Sequence, residues 1–235
     1  MMNKLIVVPA RGGSKGIPRK NIYPLLGKPL LEYTIEVILR ADLESTDIVV
    51  STDSEEIKAV ALKFEGVYVV DRPIELSGDK ASTEDALLHA VMVMEQREQK
   101  KYDAVITMQP TSPLRSPNTL KVFVKEYENK SGIYDAMLSL SESRSDYWVC
   151  REGNFSRLNP DAPRRRQERT PLYVENSAYY ITDIKSLRET HSVLGKFPTG
   201  FVISEIEGID INEETDLRIA EFFLKQKALD RGIYE

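Results

Sequence analysis

Four short apolar runs, at residues 4–8, 47–51, 67–70 and 104–108, each lead to a longer stretch whose apolar side chains recur every three or four positions. Strand followed by helix, repeated, leaves few folds open: it builds a largely parallel sheet with helices on both sides. The runs show no strict apolar–polar alternation, as expected of strands covered on both faces. Further strands are predicted at 136–140, 178–182 and 201–204, and helices over 29–40, 54–64, 83–98, 117–128, 183–189 and 213–227. The expected fold class is therefore α/β: Rossmann-like, with a mostly parallel, doubly wound sheet. The third helix shows its signals most clearly. Ser82 or Thr83 can cap it, Glu84 and Asp85 complement its N-terminal dipole, and Ala86, Leu87, Ala90, Val91 and Met94 form one apolar stripe. His89 lies beside that stripe and reads as a packed, hydrogen-bonded helix histidine.

The first apolar run ends in Val8-Pro9-Ala10-Arg11-Gly12-Gly13-Ser14-Lys15-Gly16-Ile17-Pro18-Arg19-Lys20-Asn21. Its glycines let the backbone turn tightly and bring N–H groups close to a ligand. Arg11, Lys15, Arg19 and Lys20 make the loop locally cationic in a chain of formal net charge −5. A positive, donor-rich loop at the end of a buried strand suits a polyphosphate; the plain alternative is a basic surface turn. Neither the Walker spacing nor G-x-G-x-x-G is present. Pro18 argues that the loop does not run straight into a helix.

The overall acidity argues against nucleic-acid binding by bulk electrostatics. The composition, 41% hydrophobic and 29% charged over 235 residues, is that of a globular protein and not of a disordered one. One cysteine, Cys150, allows no intramolecular disulfide, and with His89 and His191 it forms no standard structural zinc set. The N-terminal apolar run is too short to span a membrane or direct export, so a cytoplasmic location with no membrane partner is expected. Residues 141–176 break the strand–helix rhythm with Trp148, prolines and the run Arg164-Arg165-Arg166. The chain thus reads as one domain, 1–235, carrying an excursion at 141–176 that leaves the sheet and returns near Ser177. The three arginines are either a solvated face or a bidentate clamp for a carboxylate.

Ligands of open α/β sheets bind beyond the carboxyl ends of the strands. Four unusual segments fall there: the glycine loop; Arg72-Pro73 leading to Asp79, Ser82 and Thr83; Gln109-Pro110-Thr111-Ser112-Pro113-Leu114-Arg115; and Asp210-Ile211-Asn212. Each has a plain account, such as turn prolines, or Asn212 as the cap of the last helix. Their convergence points to a nucleotide pocket. Displacement at phosphorus needs in-line positioning and neutralised charge, which arginine, lysine and a carboxylate-bound Mg²⁺ supply. Asp210 is the natural carboxylate for that metal.

These segments, with Arg72-Pro73, Asp79-Lys80-Ala81-Ser82-Thr83, Arg166-Gln167, Tyr173, Asn176-Ser177-Ala178 and Asp216-Leu217, resemble the CMP-sialic acid synthetases. These are cytidylyltransferases that activate acidic nine-carbon sugars, and the likeness runs over nearly the whole chain. It implies a nucleotide-diphospho-sugar transferase type of sheet and transfer of CMP from CTP to the anomeric hydroxyl of a 2-keto-3-deoxy sugar acid, with Mg²⁺ and release of pyrophosphate. By position it assigns Arg11, Gly12, Gly13, Ser14, Lys15 and Lys20 to the triphosphate, with Lys20 stabilising the transition state. Ala10, Asn21, Arg72 and Thr83 are assigned to the cytidine; Gln109, Arg166, Gln167, Tyr173 and Asn176 to the sugar; Asp210 and Asn212 to the metal. It also implies a homodimer in which the 141–176 excursion reaches over the neighbouring subunit's site.

The chain departs from its look-alikes in places. It has Asp210-Ile211-Asn212 where many carry Asp-x-Asp, and Asn176-Ser177-Ala178 where many carry Asn-Gly-Ala. Residues 146–150 lack a lysine, and 193–196 lack an aromatic pair, found in some sialic-acid enzymes. Sialic, legionaminic and pseudaminic acids all stay open as acceptors. A Kdo-type or sugar-phosphate nucleotidyltransferase and a catalytically inactive nucleotide-binding relative are the alternatives.

Overall fold

Strand β1 (Lys4–Pro9) lies inside a seven-stranded sheet, with Leu5 and Val7 buried against one helical layer and Ile6 and Val8 against the other. The structure, a computed structural model, describes residues 2–14, 16–78 and 81–230. Lys15, Asp79 and Lys80, which the sequence places in the binding segments, lie outside the described residues.

After the glycine loop the chain makes a 3₁₀ turn (Lys20–Ile22) and a small hairpin of β2 (Pro24–Leu25) and β3 (Lys28–Pro29) before α1 (Leu30–Ala41) begins. The loop therefore does not feed a helix directly, as Pro18 indicated. β4 (Thr46–Thr52), α2 (Glu55–Ala61), β5 (Val67–Asp71), α3 (Thr83–Glu98), β6 (Ala104–Thr107) and α4 (Pro117–Lys130) continue the rhythm. β7 (Ala136–Ser143), a hairpin of β8 (Trp148–Arg151) and β9 (Asn154–Arg157), β10 (Leu172–Asp183), α5 (Ile184–Thr190), β11 (Pro198–Ile203) and α6 (Glu214–Asp230) complete it. The sheet order is β11-β7-β10-β6-β1-β4-β5, parallel throughout except for β10, which is antiparallel to both neighbours. One face is covered by α1, α2 and α4 and the other by α3 and α5, so the sheet is doubly wound. Among the described residues no helix is long and apolar enough to cross a membrane.

Each predicted strand and helix is present, and α3 has the predicted limits, with Ser82 as its cap through an Oγ that accepts from the Asp85 N–H at 3.0 Å. Three readings change. α2 stops at Ala61 because residues 62–64 tighten into a turn ahead of Gly66, whose φ is +77°. His89 is part-buried, but its Nδ1 has no hydrogen-bond partner; burial, then the Arg72 charge, lowers its pKa, so the ring is held neutral. Residues 141–143 and 172–175 do not leave the sheet: β7 and β10 pair on from Leu140↔Glu175 to Ser143↔Leu172, as a two-stranded ribbon once β11 ends opposite Ser141. Between the ribbon strands lies the β8–β9 hairpin, whose two strands are joined by a two-residue turn, Glu152 (φ +50°) and Gly153 (φ +83°).

Candidate active site

A cavity of about 340 Å³ opens at the carboxyl ends of β1, β5 and β6 and is lined by Arg11, Gly13, Ser14, Lys20, Asn21, Arg72, Thr83, Gln109 and Asn212, together with Pro9, Gly16, Pro110 and Thr111. All four segments singled out from the sequence thus meet in one place. A second hollow of about 220 Å³ shares Pro9, Arg11, Arg72 and Thr83 with the first and is closed by Leu76, Gly78, Ala81 and Ser82.

Residues at the end of β4 hold the pocket floor. The Ala10 N–H donates to the Ser51 carbonyl at 3.0 Å, and the Arg72 N–H to that of Thr52 at 2.7 Å. Arg72 lies buried, its Nε on Ser51 Oγ at 3.1 Å and its Nη2 on the Ser51 carbonyl at 2.7 Å, and burial lowers its pKa. The Gly12 N–H donates to Asp53 Oδ1 at 2.8 Å. Asp53 escaped the sequence reading, although a carboxylate just after the strand next to β1 was the available signal. The Arg11 guanidinium reaches the Gly78 carbonyl at 3.3 Å, and Asn21 Nδ2 clasps the Arg11 carbonyl at 2.8 Å, so these two side chains shape the loop while lining the cavity. Ala10 is wholly buried and lines neither hollow; Arg19 turns away to an ion pair with Glu56.

The far wall is the 210–216 loop. Lys20 Nζ donates to the Ile211 carbonyl at 2.8 Å and lies 3.5 Å from Asn212 Oδ1. Burial lowers the pKa of Lys20, while Asp210 and Asp216 act to raise it. Asp216 Oδ2, in the first turn of α6, reaches back to accept from the N–H groups of Asn212 and Glu213, each at 2.9 Å, and Asn212 does not cap the helix as the sequence suggested. The Asn212 amide is turned instead to Asp210, with Nδ2 donating to Oδ2 at 2.9 Å. Asp210 Oδ1 is buried and without a partner, a lone oxygen that suits a cation. No group of three or more His, Cys, Asp or Glu able to hold a metal occurs among the described residues, so a cation here needs oxygens from the ligand as well.

Gly16 permits the two walls to approach, since a Cβ there would stand 2.6 Å from the Asn212 carbonyl oxygen. Gly16→Ala is expected to push the loops apart and lower kcat/KM for nucleotide by at least about tenfold. Gly132, exposed after α4 and far from the cavity lining, has nothing within 4 Å of an added Cβ and serves as the control. Equal kinetics for Gly16→Ala and Gly132→Ala would contradict the close approach.

The remaining sequence candidates for the sugar line neither hollow. Asn176 is buried in the β10 irregularity, accepting from Ser139 Oγ at 2.5 Å and donating to Ser141 Oγ at 2.9 Å. Arg166, Gln167 and Tyr173 are exposed on the excursion and line neither hollow.

A sequence profile described as Cytidylyltransferase matches residues 5–195. The chain belongs to that family. It is 33% identical over 227 residues to a pseudaminic acid cytidylyltransferase of Campylobacter jejuni, covering 95% of this chain and 97% of the relative. It is 29% identical over 225 residues to an N-acylneuraminate cytidylyltransferase of Escherichia coli, covering 94% of this chain but 52% of the relative, so it spans about half the length of that protein. Its fold matches that of a CMP:2-keto-3-deoxy-manno-octonic acid synthetase solved with CTP, with a TM-score of 0.67 at 18% identity over 95% of this chain and 99% of the other. The cytidylyltransferase is thus a nucleotidyltransferase with a doubly wound α/β fold, as its sequence indicated.

Proposed function

We propose that this cytidylyltransferase joins CMP from CTP to the anomeric hydroxyl of a nine-carbon 2-keto-3-deoxy sugar acid. The anomeric oxygen bonds to the α-phosphorus, the bond from that phosphorus to the bridging oxygen breaks, pyrophosphate departs, and the hydroxyl proton is lost. The observation that carries the reading is the convergence of Arg11, Lys20, Arg72 and Gln109 on one cavity.

The triphosphate is read onto the glycine loop and Lys20, and the cytidine onto the smaller hollow beside Arg72 and Thr83. Lys20, fixed at the Ile211 carbonyl, offers a cation where charge builds on the departing phosphates. Mg²⁺ would be held by Asp210 and Asn212 together with triphosphate oxygens, and would neutralise phosphate charge. The orphaned Asp210 oxygen supports that assignment. Gln109 faces the sugar side of the cavity. A pyrophosphate-release screen of CTP and UTP against sialic, legionaminic and pseudaminic acids, Kdo and sugar 1-phosphates tests the reading. Release with CTP and a nine-carbon acid is expected; release confined to Kdo or a sugar phosphate would replace it.

A second copy of the chain is read as completing the site. Trp148, Phe155, Leu158 and Tyr173 are each more than half exposed on the excursion, which suits an interface. Of the three adjacent arginines, Arg164 lies 3.6 Å from Asp146 and Arg165 pairs with Glu168 at 3.3 Å, whereas the Arg166 guanidinium makes no hydrogen bond or ion pair among the described residues. Arg166 is the arginine left to hold a carboxylate bound in the neighbouring subunit. Mixing Lys20→Ala protein with Arg166→Ala protein, each inactive alone, is expected to restore about a quarter of the wild-type sites by forming mixed two-fold dimers. No recovery after subunit exchange would place Arg166 in its own subunit's site.

A further inference from the structure

The sugar half of the pocket has no support yet described, and one buried cation supplies it. Arg115, the last residue of the Gln109–Arg115 segment, is only 4% exposed. Its Nη2 donates to the Gln109 carbonyl at 2.6 Å and to Thr34 Oγ1, on α1, at 2.5 Å. Its Nη1 donates to the Ala178 carbonyl at 2.8 Å, inside the β10 irregularity that also contains Asn176 and Ser177. One rigid guanidinium thus ties Gln109 to the 176–178 bend and anchors both to α1. Ser177 needs such a tie, because it holds a φ of +58° that a side-chain-bearing residue rarely adopts.

Among the described residues no carboxylate is hydrogen-bonded to this arginine. Its charge is balanced at longer range by Asp210 and Glu207, and although burial lowers its pKa to about 10 it stays cationic at neutral pH. The nucleotide loop hangs from other groups, Ser51 and Asp53, which Arg115 does not touch. We propose that Arg115 is a positioning residue for the sugar acceptor, fixing the spacing between Gln109 and the 176–178 bend, and that it never touches substrate. The proposal rests on reading Gln109 and that bend as the sugar side of the site.

Lysine keeps the charge but cannot grip two carbonyls and a hydroxyl in one plane. Arg115→Lys is therefore expected to raise the KM of the accepted sugar acid by about tenfold while the KM of CTP stays within about twofold. Thr34→Val, which removes one acceptor from a buried site and keeps its shape, is expected to move the sugar KM the same way by about threefold. Amide hydrogen exchange is to rise together in 109–114 and 176–179 of Arg115→Lys and to stay unchanged in 5–12. Equal changes in both KM values, or faster exchange in only one of the two segments, would overturn the proposal. Should Arg115→Lys not fold, an unchanged sugar KM and unchanged exchange in Thr34→Val overturns it. A wild-type protein that releases no pyrophosphate with any sugar acid refutes the reading of the site, and the exchange pattern then decides the tie alone.

Discussion

Lys20→Ala is expected to lower kcat by about 10²–10³-fold while the Kd for CTP changes by less than about fivefold. The ammonium is held at the pocket wall by the Ile211 carbonyl, half-buried and beside Asn212, so it is in place before nucleotide arrives. A fixed charge aimed at departing phosphates acts on the transition state more than on ground-state binding. Arg11→Ala should damage both quantities, because Arg11 lines both hollows and also grips the Gly78 carbonyl. Stopped-flow turnover and calorimetric CTP binding separate the two cases. Near wild-type rates for both variants would reduce the glycine loop to a basic surface turn.

The second large effect is expected at Asp210. Asp210→Ala removes a buried, unpartnered carboxylate oxygen beside the pocket-lining Asn212 and is expected to abolish Mg²⁺-dependent turnover at any Mg²⁺ concentration. Asn212→Asp is expected to keep activity and lower the Mg²⁺ concentration at half-maximal rate, by adding a charged oxygen ligand. Calorimetric titration of Mg²⁺ into the CTP complex gives a readout apart from turnover. An Asn212→Asp protein with unchanged metal dependence would show that Asn212 serves only Asp210 and Lys20, through the hydrogen bonds it makes to them.

The strands that build the platform were legible because burial on both faces leaves an uninterrupted apolar run, as in Leu5-Ile6-Val7-Val8. The pocket segments were legible because strand ends, glycines and cations coincide there. The β7–β10 ribbon was not: beyond the helices its side chains need no apolar pattern, and Ser139 and Ser141 are taken up by Asn176 instead. The Glu152-Gly153 turn was a readable hairpin signal within that stretch, hidden by the absence of flanking alternation. Asp53 and Arg115 act through backbone groups 41 and 63 positions away, contacts that no local spacing reports. Asn212 looked like a helix cap, but Asp216 reaches back to its N–H and the Asn212 amide turns to Asp210.

Transfer of a cytidylyl group to a sugar acid in the strand-end cavity leaves a signature at phosphorus. The most direct measurement is ³¹P NMR of the protein incubated with CTP, Mg²⁺ and each nine-carbon acid in turn. The three CTP resonances are expected to be replaced, in equal molar amounts, by pyrophosphate and one phosphodiester resonance from a CMP–sugar, and Lys20→Ala and Asp210→Ala are expected to suppress both signals together. CTP that stays intact with every acid, or is hydrolysed to CMP and pyrophosphate without a sugar-linked phosphodiester, would contradict that transfer.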